Sequence, residues 1–98
     1  MPQLCISLQE GFRDDLVIIR ANGTEVYRRR GLTTDAVVSH ADTFETGWEE
    51  WPVRIDIEVA TRGVSGSTEL TVPGYLGVSL RPQGELFYRV SQQPFLYF

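Results

Sequence analysis

The feature that most constrains this chain is the alternation in "PVRIDIEVATRG", where Val53, Ile55, Ile57 and Val59 are separated by Arg54, Asp56 and Glu58. Successive side chains on a strand point to opposite faces, so this segment can bury one apolar row and leave its charges in water. A helix would scatter the same four residues around its circumference. The segment reads as a half-buried antiparallel strand. "QLCISLQ" repeats the pattern with Leu4, Ile6 and Leu8, and "YLGVSLR" repeats it with Leu76, Val78 and Leu80.

Turn chemistry divides the chain between these rows. In "DLVIIRANGTEVYRR", Asn22-Gly23 lies between two β-prone runs and suits a two-residue type I′ hairpin, because both residues tolerate positive φ. A regular register from that turn sets Ala21 opposite Thr24, Arg20 opposite Glu25, Ile19 opposite Val26 and Ile18 opposite Tyr27. The "NGT" triplet is read as this turn rather than as a glycan acceptor. Further turns are expected at 62 to 66, at 72 to 75 with Pro73-Gly74 in a type II turn, and at 81 to 85. Residues 31 to 47 fit less well. Val37, Ala41 and Phe44 sit at helical spacing with Thr34 or Asp35 as possible N-caps, but Val37-Val38 favours a short strand followed by a sheet-crossing loop.

Seven to eight short strands and no long helical pattern predict an all-β fold: a Greek-key-like antiparallel β-sandwich of immunoglobulin-like size, one domain over residues 1 to 98. Its core rows are expected at 4 to 8, 16 to 19, 53 to 59, 76 to 80 and 86 to 90. A chain of this length buries about 60 to 65% of its unfolded surface, which favours a shallow surface site over a deep pocket.

Charge and composition exclude some functions. A formal charge of -4 opposes non-specific nucleic-acid binding, which needs a basic face to displace counterions. No apolar run approaches the roughly 20 residues of a membrane-spanning helix. "MPQLCISLQE" has neither a basic n-region nor an apolar block of signal-peptide length, and the single cysteine, Cys5, cannot pair within the chain. A cytoplasmic location is the resulting expectation.

The stretch "HADTFETGWEEW", residues 40 to 51, collects the only histidine and both tryptophans. Its oxygen ligands for a metal such as calcium would be Asp42, Glu45 and Glu49, with His40 and Glu50 nearby, but the order of acids and glycine in a calcium loop is absent. With one Cys and one His, no Cys/His zinc site is available, and no cofactor is expected. Trp48 and Trp51 with Tyr75 could stack a carbohydrate ring. Three residues apart on an extended chain, however, the two indoles would point to opposite faces and at least one would enter the core.

Catalysis has little to draw on. The available nucleophile-base pairs join His40 to Cys5 or to a serine, and Cys5 lies on a strand beside inward-facing Leu4 and Ile6, where a thiol is usually inert. "RRR" at 28 to 30 makes a local positive patch for which Asp14 and Asp15 are the expected ion-pair partners.

The C-terminal "PFLYF" carries large side chains on both alternating faces: Phe95 and Tyr97 on one, Leu96 and Phe98 on the other. A half-buried edge strand there would expose one pair and invite pairing with another chain. The primary expectation is thus a non-enzymatic interaction or accessory module that uses an edge strand or aromatic patch. Its partner would be a second copy of itself, as a homodimer, or another protein. The alternative is a small-ligand module, for carbohydrate or calcium, built on residues 40 to 51.

The series "LQEGFRDDLVIIRANGTEVYRRRGLTT", "YLGVSL", "GELFYRVS" and "QQPFLYF" resembles small bacterial single-domain β-sandwich proteins. The resemblance rests on turns and core residues. It implies one complete β domain and brings no activity, cofactor or site residue with it.

Overall fold

The computed structural model describes residues 3 to 96. Eight strands run in chain order: β1 (Gln3–Leu8), β2 (Asp15–Ala21), β3 (Thr24–Leu32), β4 (Asp42–Gly47), β5 (Val53–Val59), β6 (Val64–Leu70), β7 (Gly74–Leu80) and β8 (Leu86–Ser91). They form two four-stranded sheets, ordered β4-β1-β7-β8 and β3-β2-β5-β6. Three hairpins stay within a sheet, and the other connections cross between sheets, so the fold is the expected all-β sandwich with Greek-key-like crossings. One pairing departs from the antiparallel expectation. β1 runs parallel to β7, from Leu4 opposite Gly74 to Leu8 opposite Val78.

The alternating rows do what their periodicity demands. Leu4, Ile6 and Leu8 from β1, Val53, Ile55, Ile57 and Val59 from β5, and Leu76, Val78 and Leu80 from β7 are buried in one shared core with Val17 and Ile19 of β2. The row at 86 to 90 is the exception. Leu86 and Tyr88 are half-buried and Val90 is 59% exposed, on a strand that lies at the edge of its sheet.

The Asn22-Gly23 hairpin forms with φ of 47° and 83°, and the Asn22 side chain accepts a hydrogen bond from the Arg54 backbone N–H. Its regular register holds only at Ala21–Thr24 and Arg20–Glu25. A bulge then sets Ile19 opposite Tyr27 and Ile18 opposite Arg28, leaving Val26 as the extra residue. Tyr27 therefore falls on the inward face. It stacks on Phe44 with ring centroids 4.7 Å apart and closes the β3–β4 side of the sandwich.

Other local expectations are corrected. Residues 36 to 39 form a turn closed by an Asp35–His40 bridge, and Val37 is 86% exposed, so the strand in this region is β4 rather than Val37-Val38. The Thr34 and Asp35 side chains serve this loop rather than a helix. The Thr34 hydroxyl donates to the Gln9 carbonyl, and Asp35 Oδ1 accepts from the Val37 N–H. The reversal between β5 and β6 is a short 3₁₀ turn at Ala60–Arg62 with Gly63 left-handed, so 64 to 66 already belongs to β6. Gly74 has no positive φ and begins β7, which excludes the type II turn. At 81 to 85 the expected turn forms, with Gly84 at φ 90°.

Candidate functional site

Alternation along β1 points Cys5, Ser7 and Gln9 away from the core, onto the outer face of its sheet. Cross-strand pairing sets Glu45 and Tyr75 beside Cys5, and Thr43 and Gly77 beside Ser7. Phe87 and Arg89 of β8 continue this face next to Ser79 and Gly77. An outer face normally lies in water, yet Cys5, Ser7 and Gln9 are only 4 to 5% exposed.

Two irregular segments account for that burial. The turn before β4 brings His40 over the face, where its Nε2 lies 2.7 Å from the Thr43 hydroxyl, itself 3.0 Å from the Ser7 hydroxyl. After β8 the chain folds back, and Pro94 and Phe95 line a groove together with Cys5, Ser7 and His40. Arg89 holds this return by placing its guanidinium 5.4 Å from the Phe95 ring centroid.

Next to it lies a larger groove of about 440 Å³, lined by the Gln9 side, by Val38, and by Arg81, Phe87, Arg89 and Phe95. Gly77 makes room for its floor. A Cβ at that position would stand 2.7 Å from the Gln9 amide nitrogen. Arg81, delivered by the β7–β8 turn, stacks on Phe87 at 4.3 Å from the ring centroid.

The chemistry of the cysteine follows from its surroundings. Burial pushes the Cys5 thiol up, and the adjacent Glu45 charge and hydrogen bond push it further, so the thiolate that a nucleophile needs is disfavoured. The structure does bring Cys5, Ser7 and His40 to one groove, as a catalytic pairing requires. A chain of contacts, however, runs from His40 through the Thr43 hydroxyl to the Ser7 hydroxyl, and the Cys5 thiol hydrogen-bonds with Glu45.

The 40 to 51 stretch is taken apart by strand geometry. Asp42 and Glu45 fall on opposite faces of β4. Asp42 sits at the inward edge, where it accepts a hydrogen bond from the Tyr27 hydroxyl at 2.7 Å and pairs with Arg29 at 2.9 Å. Burial alone would raise the Asp42 carboxyl, but these two partners and the Thr43 N–H hold it below its usual range. Among the described residues, no group of three His, Cys, Asp or Glu side chains is placed to hold a metal ion.

Trp48 and Trp51 do not diverge as an extended chain would require. Residues 48 to 52 bend, and both indoles pack against the core. Their N–H groups donate to the Glu50 and Trp48 carbonyls respectively. Tyr75 lies on the outer face instead, so the three aromatics do not form a common platform.

The triple arginine is also redistributed. Arg28 pairs with Glu25 and Arg29 with Asp42, not with Asp14 or Asp15. Asp15 is instead tied to Arg62. At the C-terminal end, Phe95 is half-buried, Leu96 is 76% exposed, and neither belongs to a strand; Tyr97 and Phe98 lie outside the described residues.

Sequence reasoning missed Arg81, Phe87 and Arg89. Their signal was present in "RPQGELFYRV": Phe87 and Arg89 alternate against Leu86, Tyr88 and Val90, and a tight turn returns Arg81 toward them. Among the described residues, no helix is long and apolar enough to cross a membrane. Comparison with family models, curated proteins and solved structures found no match.

Proposed function

We propose that this domain is a non-enzymatic interaction module that associates with a second copy of itself through the open edge of β8. The observation that carries the reading is the contrast among edge strands. β3 presents Glu25, Arg28 and Arg29, β4 presents Asp42 and Glu45, and β6 presents Ser65, Ser67 and Glu69, so each is guarded by charge or by polar side chains. β8 has one charge, Arg89, and leaves Phe87 39% and Val90 59% exposed. A row of unpaired backbone groups beside exposed apolar side chains is the usual template for strand addition.

The return of residues 92 to 96 over the outer sheet face moves the expected association surface from the C-terminal residues to β8. The buried, free Cys5 agrees with a reducing, cytoplasmic setting for the same module. Its high-lying thiol supports a role other than thiol catalysis.

Sedimentation equilibrium tests the proposal, using the intact chain, the Val90→Lys variant and a chain ending at Pro94. The expected result is a dimer that Val90→Lys converts to a folded monomer, while the shortened chain still dimerises. A monomer at all accessible concentrations refutes self-association. A dimer that only the shortening abolishes assigns the surface to the C-terminal residues and refutes β8.

A further inference from the structure

We propose that the groove framed by Arg81, Phe87, Arg89 and Phe95 binds a small oxyanion, carried as a carboxylate or phosphate on a compact apolar body. Arg81 and Arg89 both line it, in a chain whose formal charge is -4. Among the described residues neither makes an ion pair, a state they share with Arg13 and Arg30, whereas Arg20, Arg28, Arg29, Arg54 and Arg62 each do; only Arg81 and Arg89 combine it with a place on this groove. Each of the two has one guanidinium face set on a phenyl ring, at 4.3 Å from Phe87 and 5.4 Å from Phe95. Stacking orients a guanidinium without using its N–H edge, and that edge matches the paired oxygens of a carboxylate or phosphate.

Size and lining agree. About 440 Å³ lies in the range of small-molecule sites. Val38 and Leu96 supply apolar wall for the body of the ligand. Glu10 is the opposing charge on the lining; its backbone N–H is engaged by the Ser79 hydroxyl at 3.2 Å, which holds this residue at the groove. Phe87 and Arg89 also belong to β8, but they lie on its outer face while Val90 lies on the other, so Val90→Lys tests the association edge and the arginine variants test the groove.

The test is a titration of the full chain with inorganic phosphate and with benzoate at constant ionic strength, following arginine Nε–H signals by NMR and heat by calorimetry. Saturable shifts of the Arg81 and Arg89 signals are expected. Arg81→Gln and Arg89→Gln should each weaken binding roughly tenfold, as loss of a charge-assisted hydrogen bond implies. Arg30→Gln, on β3, should leave affinity unchanged, and Glu10→Gln should tighten it. Stronger phosphate binding identifies a phosphoryl ligand, and stronger benzoate binding a carboxylate. Chloride shifting the same signals equally, no saturation with either probe, or equal weakening by Arg30→Gln would overturn the proposal.

Discussion

Asp15 is a buried carboxylate, 1% exposed, at the start of β2. Four donors converge on it. Oδ1 accepts from the Thr61 hydroxyl at 2.6 Å and Arg62 Nε at 3.1 Å, and Oδ2 accepts from the Arg13 N–H at 2.7 Å and Arg62 Nη2 at 3.0 Å. Asp15→Asn keeps the shape but replaces one acceptor oxygen with an NH₂ group facing two donors. Two bonds to a charged acceptor, at about 1.5 kcal/mol each, suggest a loss of about 3 kcal/mol. The Arg62 side chain is 36% exposed and retains access to water, which places the loss at the lower end of the ~3–5 kcal/mol for breaking a buried pair.

At roughly 4–8 °C per kcal/mol for a domain of this size, Tm should fall by about 12–24 °C, measurable by calorimetry and by urea titration. The pH dependence gives a second check. Burial would raise the Asp15 carboxyl, but hydrogen bonds from Arg13, Thr61 and Arg62 and the Arg62 charge lower it overall. A group with a depressed folded pKa stabilises above its unfolded value, about 3.9, and loses that contribution as pH falls through the folded value. The gap between wild type and Asp15→Asn should therefore narrow on acidification below about pH 4. A loss under about 1 kcal/mol at neutral pH, or a gap unchanged in acid, would refute this account of the cluster.

Gly11→Ala should be far more damaging than a surface change. Gly11 has φ 93°, and an added Cβ would lie 1.7 Å from the Leu80 carbonyl oxygen; a folded, soluble variant with unchanged Tm would contradict that geometry. Tyr88→Phe should be neutral or stabilising by up to about 1 kcal/mol, because the Tyr88 hydroxyl is buried against Gly66 with no hydrogen-bond partner among the described residues. Urea midpoints would decide it, and a clear loss would reveal a partner for that hydroxyl. The raised Cys5 thiol should react with a disulfide reagent at pH 8 much more slowly in the native protein than in urea, and equal rates would show that burial does not control it.

Strand identity was legible wherever alternation was strict. β1, β5 and β7 each announce one buried row, and their outcome depends only on the two-residue period of an extended chain and the exclusion of apolar side chains from water. The Asn22-Gly23 and Gly84 turns were legible for a similar reason, since their φ values suit few residues. Failures began where one residue can shift a register. Val26 enters as a bulge, moves Tyr27 inward and creates the Tyr27–Phe44 closure that no local pattern encodes.

The candidate site lay further from the sequence than the fold did. "HADTFETGWEEW" concentrates attractive side chains, but strand alternation separates Asp42 from Glu45, and a bend turns both indoles onto the core. Arg81, Phe87, Arg89 and Phe95 meet only because β8 is an edge strand and the chain after it returns over its sheet. The sequence by itself determined most strands, most buried rows and the Asn22-Gly23 and Gly84 turns, because these follow from backbone conformation and periodicity within a few residues. Tertiary structure alone decided the parallel β1–β7 pairing, which edge stays open and which arginines are left without an acid. Each of those depends on residues far apart in the chain being brought side by side by the packing of two sheets.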